Sequence, residues 1–215
     1  MSWYVLGEYR DVFLEGLLTT LYLSIAAWLI AVAVALVIAQ MRLAPFVGLR
    51  AFGAAYVEFF RNIPPIVIIF FLYFALPSLD IQFSAFWSVA VGVGLYGGAI
   101  MAEVIRSGIA AVPRGQFECA TAYGMSYLQA MRLIVLPQAL RIVIPPMGSE
   151  TINVIKNTSL GAAVAMGDIL SAANLVGSQT FAYAVCFLAA GVLYLLLTLP
   201  AAAAVNALER AMAAR

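Results

Sequence analysis

The side chains best able to do chemistry in this 215-residue sequence crowd into one otherwise apolar segment, around Glu150, Asn153, Lys156 and Asn157. At about 100° per residue on an unbroken helix, Glu150, Asn153 and Asn157 fall in one narrow stripe, and Lys156 flanks it beside Asn153. A carboxylate, an ammonium and two amides facing inward can meet the ammonium and carboxylate of a zwitterion. Glu150 and Lys156 can equally neutralise each other or act as structural glue. A charge in such a setting normally faces a bundle interior or a watery cavity. A second pair, Glu58 and Arg61, stands three residues apart and can pair on one helix face. It can snorkel to an interface or serve as a gate.

Other chemistries lack their residues. There is no histidine, which removes His-ligated haem, His-containing zinc sites and Ser-His-Asp hydrolysis. Cys119 and Cys186 are expected in different settings, a loop and a membrane helix, so they form neither a disulfide framework nor a metal site. No catalytic residue and no metal ligand is assigned. The formal net charge of +1 offers no basic footprint, and no nucleic-acid partner is assigned.

These residues need a positioning frame, and composition says which kind. The chain is 65% hydrophobic and 10% charged, with a mean hydropathy of +1.04, against about 25% charged residues in soluble domains. No charge occurs between Glu15 and Arg42, Arg61 and Asp80, Asp80 and Glu103, or Asp168 and Glu209. Uncharged apolar runs of about 18 residues or more cross a hydrocarbon core as helices, which satisfy their own backbone there. The fold predicted is an all-α, polytopic membrane bundle forming one domain over 1–215. Its five spans cover about 18–41, 54–76, 83–105, 146–170 and 182–204. With the N-terminus outside and the C-terminus cytoplasmic, Arg42, Arg50, Arg106, Arg114, Arg132, Arg141, Arg210 and Arg215 all fall inside, and Arg10 alone outside. Trp3, Tyr4, Trp87 and Tyr183 suit interface anchors. Acidic residues at Glu8, Asp11 and Glu15 do not suit a cleavable signal, so the first helix is expected to remain as an anchor.

One inner segment, 108–137, is too polar to span. Pro113 suits a first helical turn, and Ala120 and Ala122 make a slim helix. Gly124 can take the left-handed conformation of a C-terminal cap. A second amphipathic stretch, 128–136, runs up to Pro137. A helix–glycine turn–helix lying across the cytoplasmic mouth is predicted.

Here the sequence resembles the membrane subunits of binding-protein-dependent ABC importers. Their cytoplasmic motif reads E-A-A-x-x-x-G, nine residues, then I-x-L-P. This chain has Glu118-Cys119-Ala120, Gly124, and Ile134 with Leu136-Pro137 at the same offsets. Cys119 replaces alanine, one small apolar residue for another. The polar amino-acid branch (histidine, glutamine, glutamate, arginine, opine) is matched further by Tyr56-x-Glu58-x-x-Arg61-x-x-Pro64, Glu103-x-x-Arg106-x-Gly108, Leu136 to Arg141, Pro145-Pro146, and Lys156-x-Thr158-Ser159-Leu160. Ile63-Pro64-Pro65 departs from the branch's Thr-Pro-Leu.

The resemblance implies a type I importer permease whose loop docks on a separate ATPase through Glu118, Cys119, Ala120, Gly124, Ile134, Leu136 and Pro137. Thr158 and Ser159 then join Glu150, Asn153, Lys156 and Asn157 in the substrate path. The only lysine, Lys156, lies in the fourth span, so no phosphate-loop motif exists in this chain. ATP and Mg are expected on the ATPase partner, and no cofactor in this chain. Five spans make half a pathway. The implied partners are two ATPases, a second permease subunit, identical or homologous, an extracytoplasmic solute-binding protein, a polar amino acid and the bilayer of a bacterial plasma (inner) membrane. A gradient-driven transporter or channel would use the same membrane charges but leaves the loop motif unexplained. A membrane-embedded enzyme lacks the residues.

Overall fold

A computed structural model describes residues 3–213; Arg215, counted above among the inner basic residues, lies outside them. A short helix α1 (Tyr4–Glu8) leads into α2 (Arg10–Leu43), long enough to cross a bilayer. α3 (Val47–Asn62) follows, then α4 (Pro65–Phe70), which continues through a π-turn at Phe71–Ala75 and a 3₁₀ turn at Leu76–Leu79. α5 (Ala85–Ala110) is the next span. α6 (Arg114–Ala122) and α7 (Tyr127–Ala130) form the loop, and a π-turn (Met131–Val135) joins α7 to α8 (Leu136–Asn157). A 3₁₀ stretch (Thr158–Val164), α9 (Ile169–Thr180) and α10 (Tyr183–Ala213) complete the described chain. The core is all-helical, with four helical runs long and apolar enough to cross a membrane and a fifth, bent pair.

The bundle is organised by close approach of α2 and α5. A Cβ on Gly94 would lie 2.5 Å from Ile30 Cγ2, and one on Gly98 would lie 2.7 Å from Val34 Cγ1 and 3.0 Å from the Ala31 carbonyl. Small residues four apart let two membrane helices touch backbone to side chain, where lipid gives them no hydrophobic drive to associate. The paired residues advance in the same sense on both helices, so α2 and α5 run parallel. Gly97 meets Val154, and Gly108 meets Val143. Those contacts set α8 antiparallel to α5. Trp3, Tyr4, Trp87 and Tyr183, all exposed, collect where α1, α5 and α10 begin, at one end of the bundle.

Two expected spans come out differently. The second is no straight crossing: α3 and the Pro65–Leu79 piece meet at 100°. Ile63 and Pro64 are extended (ψ 131° and 133°) because a residue preceding proline is pushed out of the α region. Pro65 then opens α4, where its missing N–H costs nothing. The fourth span starts earlier than 146. The helical run from Tyr127 reaches Val164, so Pro137 does not end it. Each π-turn here closes two residues before a proline: Ala75 before Pro77, Val135 before Pro137. The carbonyl four residues before each proline, on Tyr73 or Leu133, has lost its N–H partner and would crowd the ring; a wider turn relieves both. α9 had no place in the five-span reading. Asp168 caps it, accepting from Ser171 N at 3.1 Å and Ser171 Oγ at 2.5 Å, and Tyr194 Oη donates to Asp168 at 3.3 Å. Those bonds, with Ile169 N donating to Thr20 Oγ1 at 3.1 Å, tie α9 to α2 and α10.

Candidate coupling loop and polar patch

The loop is built as a braced elbow. α6 ends in a Schellman arrangement: Gly124 has φ 79°, its N–H donates to the Thr121 carbonyl at 2.9 Å, and Met125 N–H donates to the Ala120 carbonyl at 3.1 Å. That conformation is costly for residues with a Cβ. α7 starts on a capping box, Ser126 N donating to Gln129 Oε1 at 2.8 Å and Gln129 N to Ser126 Oγ at 3.4 Å. Val112, Val135 and Ala139 form a small core beneath, with Phe117 and Met131 packed against it. Gln138 Nε2 donates to Gln116 Oε1 at 3.3 Å, joining α6 to α8. Local signals existed for the box (Ser126-x-x-Gln129), and the sequence reading missed them.

The residues expected to couple divide by exposure. Glu118, Cys119, Gly124, Leu136 and Pro137 are exposed, Ile134 is half-buried and Ala120 is buried inward. Cys119 and Cys186 are both free, one exposed and one buried. Beside the motif, Tyr123 is 83% exposed and Leu128 74%, with Tyr127 stacked edge-on to Phe117 at 5.6 Å. Large apolar side chains are thus held out from a braced elbow, the kind of exposed patch that can serve as a docking surface.

A second feature props the elbow. Glu103, near the loop end of α5, takes Arg106 Nη2 at 2.5 Å and also pairs with Arg42 at the end of α2. The carboxylate thus ties two spans together just before the loop begins. Sequence reading placed Glu103 and Arg106 in a motif but had no signal for Arg42.

The polar patch lies deeper. Glu150 is 5% exposed, facing Gly97 of α5 across α8. Asn153 Nδ2 donates to Glu150 Oε2 at 3.1 Å, while Glu150 Oε1, also buried, has no hydrogen-bond partner among the described residues. A buried carboxylate oxygen without a donor is costly. The expected stripe is therefore only partly assembled. Asn157 is the last residue of α8 and half-buried; Lys156 is exposed and, among the described residues, forms no ion pair with Glu150. Past Asn157 the helix tightens to 3₁₀, which rotates Thr158 and Ser159 off the α-helical stripe. Thr158 is buried and donates to the Ile155 carbonyl at 2.6 Å; Ser159 is half-buried. Glu58 and Arg61 do not pair. Both are exposed, and Glu58 Oε1 accepts from Asn62 Nδ2 at 3.2 Å instead.

Comparison with known proteins sets this geometry in context. The sequence profile of the binding-protein-dependent transport system inner membrane component matches residues 31–214. The probable glutamine ABC transporter permease protein GlnM of Bacillus subtilis (strain 168) is 38% identical over 206 residues, 96% of this chain and 95% of that protein. The glutamate/aspartate import permease protein GltK of Escherichia coli O6:H1 is 31% identical over 208 residues, with 92% of each chain covered. A crystal structure of an amino acid ABC transporter with histidines superposes with a TM-score of 0.91 at 28% identity, covering 98% of both chains.

Proposed function

The chain belongs to the inner-membrane components of binding-protein-dependent transport systems, a multi-pass permease subunit, and on that premise we propose that it carries a polar amino acid inward, driven by ATP hydrolysis on separate subunits. The observation that carries the reading is the braced elbow: an exposed apolar tip at Tyr123 and Leu128, fixed to the foot of α8. A tip with nothing to cover it in its own chain, mounted on the base of a span, suits transmission of movement from a docked ATPase. Glu118, Cys119, Ala120, Gly124, Ile134, Leu136 and Pro137 shape that contact, and ATP with Mg stays on the partner.

The substrate class follows from the polar patch. Glu150 Oε1 offers an unused acceptor to a substrate ammonium, and Asn153 holds the other oxygen in place. Lys156 and Asn157, a turn or more further along, suit the substrate carboxylate, with Thr158 and Ser159 beyond them. Glu58 and Arg61, exposed and without an ion-pair partner among the described residues, fit a gate or subunit boundary better than a lipid face. A second permease subunit, identical or homologous, supplies the other half, and a solute-binding protein delivers cargo from outside. The N-terminus faces outward and the C-terminus the cytoplasm of a bacterial inner membrane, as the arginine distribution favours.

The test is co-expression with candidate ATPase and permease partners, comparing wild type with the Tyr123→Asp, Leu128→Asp double variant. The expected result is ATPase co-purification and binding-protein-stimulated hydrolysis in liposomes for wild type, lost in the variant. Uptake without any ATPase, equal in both proteins, would sink the reading.

A further inference from the structure

The fourth span carries a second stripe, on the side turned away from Glu150. Arg141, Ile144, Gly148, Thr151 and Ile155 recur at three- and four-residue spacings along unbroken α8. Arg141 lies half a rotation from Glu150 at about 100° per residue. Ile144, Gly148 and Thr151 line a cavity of about 370 Å³ with Val205 and Leu208 of α10. Thr151 and Ile155 line a second, of about 240 Å³, with Leu21 and Ile25 of α2. Trp28, Thr151 and Ala201 line both, so the two are one furrow between three spans.

Its polar groups are already spoken for. Trp28 Nε1 donates to Thr151 Oγ1 at 3.0 Å, and that hydroxyl donates to the Met147 carbonyl at 2.9 Å. What remains is an apolar trough, and Arg141 stands beyond its lining residues, about one turn before Ile144 on the same face of α8. Arg141 is exposed and, among the described residues, has no ion-pair partner. The trough is also the right length. Ile144 to Ile155 spans about 16 Å of helix at about 1.5 Å per residue, close to one leaflet of a hydrocarbon core about 30 Å thick. Val205 packs against Gly148 along it, and cavities of about 240 and 370 Å³ hold far less than a helix about 16 Å long and about 10 Å across, while suiting a single chain of methylenes.

We propose that this furrow binds an anionic phospholipid, one acyl chain along the trough and the headgroup phosphate on Arg141. A guanidinium matches phosphate oxygens bidentately, and the trough has no group to hold a zwitterionic solute. The proposal requires only that the chain spans a bilayer. It stands or falls apart from the transport reading.

Trp28 is the built-in reporter, 37% exposed in the furrow wall. The full-length chain with Trp3→Phe and Trp87→Phe is reconstituted in phosphatidylcholine vesicles. Either phosphatidylglycerol or phosphatidylcholine with brominated acyl chains is then titrated in, and Trp28 quenching is read. The expected result is about fivefold stronger apparent binding of the phosphatidylglycerol, the weight of one basic residue at a charged headgroup. Arg141→Gln brings the two lipids level, Arg141→Lys keeps part of the preference, and Ala204→Phe, which fills the trough, lowers quenching by both. The proposal is overturned if neither lipid quenches Trp28, which would mean that protein, such as a second copy, covers the furrow. Equal quenching by the two lipids, unchanged in Arg141→Gln, overturns it as well.

Discussion

The second arm of the elbow and the polar patch belong to one helical run, Tyr127 to Val164, yet the two regions are built on opposite terms. Around the elbow the backbone turns are closed by the Schellman bonds and the capping box, and the Gln116–Gln138 bond braces them, while large apolar groups such as Tyr123 and Leu128 are left in the open. At the polar patch the apolar packing is complete, with Val154 against Gly97, and it is a carboxylate oxygen that lacks a partner. Each region leaves unmet the kind of bond that its partner would provide: burial for a protein surface, hydrogen bonds for a polar solute. A shared helix joins them, softened between by the π-turn before Pro137 and by Pro145 and Pro146, which supply no N–H to the carbonyls of Arg141 and Ile142.

If the contrast is sound, damage to the two regions separates. The largest effect is expected from Tyr123→Asp with Leu128→Asp, which puts charge into the exposed apolar patch. Central apolar anchors in interfaces are worth about 2–4 kcal/mol, so ATPase retention on the purified permease should fall by about a hundredfold or more, with the permease fold unchanged by circular dichroism. Retention equal to wild type would mean that the patch is not the docking surface. Gly124→Val should cost about tenfold in the same assay, because φ 79° is strained by roughly 1–2 kcal/mol for a residue with a Cβ. Gly124→Asn, which tolerates that conformation, should lose little. Equal losses would show that space and not backbone conformation matters there. Smallest is Ser126→Ala, which removes one cap worth about 1 kcal/mol. A severalfold loss of stimulated hydrolysis is expected, and Ser126→Asn should restore it.

How much of this was legible depended on whether a signal is local. The loop was readable because its parts are near in sequence: Pro113 ahead of α6, Gly124 behind it, Ile134 to Pro137 at fixed offset. The spans of α2, α5 and α10 were readable from uncharged length. The bend at Ile63–Pro64 was a local signal passed over, since tandem prolines inside an apolar run argue against one straight helix. The start of the fourth span was misplaced for the converse reason. Pro137 reads as a stop, but a widened turn lets the helix pass it. Glu150 and Asn153 were found by residue type and spacing. Lys156 stands apart from Glu150 because six residues turn it about 120° round the helix, which the spacing itself carried. Arg42 reaching Glu103 and Thr20 reaching the start of α9 are tertiary contacts that no local pattern carries, spanning 61 and 149 residues of sequence.

The most direct test of the central claim is Glu150→Gln in the assembled, reconstituted transporter, with uptake and ATPase retention measured on the same liposomes. The substitution keeps the shape and the neighbouring Asn153 but removes the charge proposed to meet a substrate ammonium. Uptake is predicted to fall about ten- to hundredfold, as expected when a charged hydrogen bond of about 1.5–3 kcal/mol is lost, while the ATPase stays bound as in wild type. Undiminished uptake, or loss of the ATPase together with uptake, would contradict the division of labour between the buried patch and the exposed elbow.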